Sequence, residues 1–172
     1  PRHLRLFQAL REHKKVNAGA QFFQTNILFD LGRFEEWLNA LAARNILDKV
    51  YILAGISPLR SLRSAQFLNK EVPGVRVPEH ILRRMEKADA AGNAQEEGIQ
   101  VALELIEKLR QYKEVNGLHL MTVGWEEINP GWFMTRALTI VTIGEIISGV
   151  LEEEGYRGQI RAALFARTFL KE

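Results

Sequence analysis

The sequence predicts an α/β protein built from three parallel βα units. Three short apolar runs, at residues 20–25, 50–54 and 118–123, are separated by stretches with the spacing of amphipathic helices. The middle run, Val50-Tyr51-Ile52-Leu53-Ala54, is apolar almost without alternation, as in a strand covered on both faces. Parallel strands need crossovers, and right-handed crossovers curl such a series into either a barrel or a doubly wound sheet. The pattern by itself leaves both open.

Leu4, Leu6, Phe7, Leu10 and Val16 recur at helical spacing among Arg, Glu, His and Lys, which predicts a first helix. It should stop near Asn17-Ala18-Gly19, where glycine lets the backbone turn sharply. Ala20 to Thr25 follows as a strand, and Leu28-Phe29-Asp30 leads into a helix from Arg33 to Ala43 with Phe34, Trp37, Leu38 and Leu41 on its apolar side. Val50 to Ala54 is the second strand, with Gly55-Ile56-Ser57-Pro58 as its loop and a helix over Leu62 to Phe67. Residues 72–78 form a Pro/Gly-punctuated connection to a helix from Glu79 to Lys87.

A long amphipathic helix spans Ala94 to Tyr112, its stripe made by Ile99, Ala102, Leu103, Ile106 and Leu109. Asn116-Gly117 signals a turn, and Leu118 to Val123 is the third strand. After Asn129-Pro130-Gly131 the pattern changes to helical segments over Trp132 to Glu154 and Gln159 to Leu170. Residues 1–127 therefore read as one unit and 128–172 as a helical tail.

Composition narrows the function. Hydrophobic residues make up 47% and charged residues 26% of 172, an ordinary globular balance. Net charge is +2 with basic residues scattered, which speaks against nucleic-acid binding. The sequence contains no cysteine, so disulfides, thiolate zinc sites and a cysteine nucleophile are excluded within it. The most apolar stretch, Ala137 to Leu151, is too short to span a bilayer and contains Glu145, so no membrane partner is expected. A cytoplasmic location fits these features.

Three segments, in order, resemble methylenetetrahydrofolate reductases. Residues 14–26, Lys-Lys-Val-Asn-Ala-Gly-Ala-Gln-Phe-Phe-Gln-Thr-Asn, are similar to that family's passage from helix to sixth strand. Leu53-Ala54-Gly55-Ile56-Ser57-Pro58-Leu59 resembles its seventh-strand Pro-Gly-Ile-x-Pro loop, and Gly117-Leu118-His119-Leu120-Met121-Thr122 its eighth-strand Gly-x-His-x-x-Thr. Residues 93–109 resemble the helix before that last strand. The match covers about residues 14–125.

The resemblance implies the last three βα units of a (β/α)₈ TIM-type barrel, followed by the helical tail. Such barrels carry their sites at the C-terminal ends of the strands, here Thr25-Asn26, Gly55 to Arg60 and Val123 to Glu126. It also implies a flavin cofactor, FAD in preference to FMN, and a folate substrate reduced from 5,10-methylenetetrahydrofolate to 5-methyltetrahydrofolate. By the same resemblance Lys14, Lys15 and Gln24 are cofactor-binding, and Thr25, Asn26, Leu62 and Trp125 are substrate-binding. Asn26 stands where many members carry glutamine, and Leu62 near an aromatic position. Gly124-Trp125-Glu126 replaces an Asn-Arg pair, and removes a charge suited to nicotinamide. The resemblance here is closer to the reductases of some anaerobic bacteria, in which another protein subunit can serve as electron donor, and the donor for this chain stays open.

The family's first five strands, with its acidic catalytic residues, have no counterpart in the sequence, so no catalytic residue is assigned. Either another polypeptide or a second copy completes the barrel, or the chain is a piece of a longer one. An alternative function is a non-catalytic scaffold or interaction subunit derived from this barrel. Residue by residue, plainer readings stand beside these. Lys14 and Lys15 also complement a helix C-terminus, Thr25 and Asn26 suit backbone capping, Trp125 suits a core or interface, and His119 suits a hydrogen-bonded core position. Glu126-Glu127 reads as surface rather than as an acid–base pair.

Overall fold

The computed structural model describes residues 2–123 and Trp125, with side chains from Leu10 onward. The expected tail at 128–172 lies outside the described residues, as do Gly124, Glu126, Glu127 and the side chains of Leu4, Leu6 and Phe7.

The chain opens with α1 (Arg2–Asn17), then β1 (Phe22–Ile27), α2 (Leu31–Ala42) and β2 (Tyr51–Ile56). Three helices follow, α3 (Leu62–Glu71), α4 (Glu79–Ala90) and α5 (Ala94–Leu109), before β3 (Gly117–Leu120). The three strands form one parallel sheet in the order β1-β2-β3. This is the predicted βα succession, and it is consistent with part of a TIM-type barrel.

Hydrogen bonds move several predicted boundaries. β1 begins two residues later than Ala20 because that residue still belongs to the helix end: Ala20 N–H donates to the Lys15 carbonyl at 3.0 Å, and Gly19 N–H to Val16 at 2.9 Å. α2 begins at Leu31 because the Asp30 carboxylate accepts from the Arg33 N–H at 3.1 Å. Gly55 and Ile56, expected in a loop, belong to β2, since their partners are His119 and Leu120. β3 ends at Leu120, short of Val123, as Trp125 N–H closes a turn on the Thr122 carbonyl at 2.9 Å. α5 stops at Leu109, where Arg110 caps onto Ile106 and the chain turns.

Paired residues in a parallel sheet project to the same face, and neighbours along a strand to opposite faces. Phe23, Ile52, Ala54 and Ile56 pack with Leu38, Leu41, Ala102 and Ile106 in the buried core. Gln24, Leu53, Gly55, Gly117 and His119 fall on the other face. Aromatic contacts brace the β1 side, with Phe34 stacked on Trp37 at 5.8 Å and edge-on to Tyr112 at 5.6 Å. Asn116 aligns β3, its backbone donating to the Ile52 carbonyl at 2.9 Å while its side chain accepts from the Ile52 N–H at 2.8 Å.

Candidate functional site

The sequence motifs converge at the C-terminal end of the sheet because the strands are parallel and in register. A shift in pairing between Gln24 and Ile27 marks an irregularity where β1 reaches that end. Thr25 fastens the irregular stretch to β2. Its hydroxyl accepts from the Gly55 N–H and donates to the Asn26 carbonyl, both at 2.8 Å.

Asn26 is exposed, yet its amide is engaged locally. Oδ1 accepts from the Ile27 N–H at 2.8 Å, and Nδ2 donates to the Pro73 carbonyl at 3.3 Å. The connection between α3 and α4 thereby lies against the end of β1. Arg76 adds a second tie, 3.7 Å from the Asp30 carboxylate. The involvement of residues 73–76 was not legible in the sequence, because nothing in a Pro/Gly-rich connection says which strand end it will meet.

Gly55 sits in the middle of this end. A β-carbon there would lie 2.7 Å from the Asn26 carbonyl oxygen and 2.8 Å from Met121 Cε. Bare backbone is the form β2 can take between its neighbours here. On the same face Gln24 Nε2 meets His119 Nδ1, so side chains of the two outer strands touch across β2. Burial pushes the His119 pKa below its usual value, favouring the neutral ring. Sequence reading treated His119 as a core residue; the signal for its partner was the register, visible only once β1 and β3 flank β2.

The remaining candidates disperse. Lys14 and Lys15 are exposed in the last turn of α1, where Lys15 lies 2.9 Å from the Glu12 carboxylate and 5.8 Å from the Phe23 ring centroid. A cavity of about 420 Å³ runs along β1, lined among others by Lys15, Gln24, Asn26, Arg33, Trp37 and Arg76. Lys14 is not among its lining residues. Leu62 is the first residue of α3, half-buried against the core. Trp125 is only 7% exposed and packs into the core, the arrangement of the plainer reading rather than of an open stacking surface. The described residues contain no cluster of His, Asp or Glu able to hold a metal ion.

The sheet, the Gln24-Thr25-Asn26 strand end and the Gly55 and His119 pairing all fall within residues 7–131, the segment matched by the family model described as methylenetetrahydrofolate reductase. The chain belongs to the methylenetetrahydrofolate reductase family. It is 28% identical over 116 residues to methylenetetrahydrofolate reductase 1 of Schizosaccharomyces pombe, covering 66% of this chain and 18% of that protein. It is 27% identical over 116 residues to methylenetetrahydrofolate reductase 2 of Saccharomyces cerevisiae, covering 66% and 19%. The chain thus spans about a fifth of the length of these curated relatives.

Within the family segment, no described helix is long and apolar enough to cross a membrane. The exposed amide of Gln24, the ammonium groups of Lys14 and Lys15, and the bare backbone at Gly55 are groups that suit a flavin with its phosphates.

Proposed function

We propose that the chain contributes to the reduction of 5,10-methylenetetrahydrofolate to 5-methyltetrahydrofolate, with a flavin as cofactor and FAD preferred over FMN. The observation that carries this reading is the clustering of Gln24, Thr25, Asn26, Gly55 and His119 at one end of a parallel sheet in a chain of this family. Bound flavin supplies the hydride; the chain orients, contacts and shields.

Lys14 and Lys15 would offer positive charge to the cofactor's phosphate groups, Lys15 from beside the cavity along β1. Gln24 would contact the flavin from the end of β1. Asn26 exchanges its Pro73 contact for the substrate's polar edge, using one donor and one acceptor. Thr25 holds Asn26 in place through β2, and Leu62 supplies apolar surface near the substrate, while Trp125 supports that end of the sheet from within the core.

Among the described residues β1 has a neighbour on one side only. An open strand edge favours pairing with further backbone. The reading therefore includes a protein partner or a second copy that completes the barrel and carries the acidic residues. Its folate substrate and lack of cysteine suit the cytoplasm.

Absorbance spectra of the chain with FAD and with FMN, before and after desalting, test the cofactor. A perturbed flavin band that survives desalting is expected. Completed by its barrel partner, the holoprotein should oxidise reduced flavin when methylenetetrahydrofolate is added. Flavin retention without that oxidation would turn the reading toward a scaffold subunit.

A further inference from the structure

His119 is half-buried in β3 at the level of Gly55, while Gln24 stands on β1 at the level of Leu53 and Gly117. All project to the same face of the sheet, away from the helices. The Gln24 amide reaches across β2 to the His119 ring at Nδ1. An amide –NH₂ can only donate, so in this arrangement Nδ1 would accept and the neutral imidazole would carry its proton on Nε2. Among the described residues Gln24 is the hydrogen-bond partner of this ring, and it occupies Nδ1 alone.

We propose that Gln24 is a positioning residue that fixes His119 in the Nε2–H tautomer, and that this N–H donates a hydrogen bond to a ring carbonyl oxygen of the flavin. The assignment rests on the flavin reading above. A neutral N–H donor suits a carbonyl oxygen and, unlike an ammonium or guanidinium, adds no fixed charge beside the ring. Met121, which would crowd a β-carbon at position 55, borders the same stretch of β2. The face between β1 and β3 thus combines bare backbone with one oriented donor.

Long-range ¹H–¹⁵N spectra of the ¹⁵N-histidine-labelled 172-residue chain test this directly, because they separate protonated from bare ring nitrogens. His119 is expected as the Nε2–H tautomer, and Gln24→Leu is expected to mix its tautomers while His13 and His80 stay unchanged. An Nδ1–H tautomer in the parent chain overturns the arrangement. Added FAD or FMN should shift the Nε2 resonance, and His119→Phe, with its fold checked by circular dichroism, should weaken flavin binding about fivefold to tenfold. Flavin binding that leaves Nε2 unmoved and is equally tight in His119→Phe overturns the contact while the function stands. A shift with 5-methyltetrahydrofolate but not with flavin overturns the flavin assignment. No flavin binding by the parent chain overturns the contact for this chain by itself, and the tautomer still decides the Gln24–His119 arrangement.

Discussion

Gly98 in α5 presses so closely on the loop after β2 that a β-carbon at position 98 would lie 1.7 Å from the Leu59 carbonyl oxygen. The obstacle is backbone, and Leu59 itself is fully buried, so neither side can yield cheaply. Gly98→Ala is therefore expected to destabilise the fold by about 3 kcal/mol or more. A urea unfolding midpoint within error of the parent would show that α5 can move off the loop.

Arg84 joins α4 to α5. Its Nε contacts Glu97 at 2.6 Å, and its two terminal nitrogens meet the Glu104 carboxylate at 2.6 and 3.0 Å. The side chain is 34% exposed, so water screens part of the attraction, and Arg84→Ala should cost about 1–2 kcal/mol. The Arg84 hydrogen bond holds the Glu104 carboxyl below its usual value of 4.5. That contribution is present above pH 4.5 and is lost as pH falls through the lower folded-state value. The stability gap between parent and variant should narrow as the pH of the unfolding curves is lowered from 7 into the acid range.

Burial lowers the His119 pKa from 6.5, so the unfolded chain binds this proton more readily than the folded one. Stability from the neutral ring is complete above about pH 6.5 and declines as pH falls toward the folded-state value. His119→Asn should flatten the stability profile in that window. An unchanged profile would place the titrating group elsewhere.

Ser61 begins α3 with a capping box. Its hydroxyl accepts from the Ser64 N–H at 3.2 Å, and Ser64 Oγ accepts from the Ser61 N–H at 3.0 Å. Ser61→Ala should lower stability by about 1 kcal/mol, read as a drop in the thermal midpoint. Ser61→Asp should recover most of it, because a carboxylate also accepts at this position. Leu62 follows immediately, so the same pair of variants reports whether the start of α3 must be fixed for substrate binding.

Among the described residues, which elements form, and in what order, was legible in local sequence. The unbroken apolar run ending in Ala54 required cover on both faces, and the spacing of Ile99, Ala102, Leu103, Ile106 and Leu109 required a helix with one buried stripe. The family motifs at Gln24-Thr25-Asn26, Gly55 to Pro58 and His119 were equally legible, because they are contiguous in the chain. Side-chain periodicity and glycine placement are properties of neighbouring residues, and a sequence states them directly.

Tertiary structure decided what those residues touch. Register set Gly55 level with His119 and let Gln24 reach the imidazole across β2, a relation between positions 95 residues apart. The fold also brought Pro73 to Asn26 and Leu59 to Gly98, and it turned Trp125 inward. Each of these depends on where two separately encoded surfaces meet. Hydrophobic patterning is degenerate with respect to such meetings, since many partners bury the same stripe equally well. Only the packed arrangement selects one.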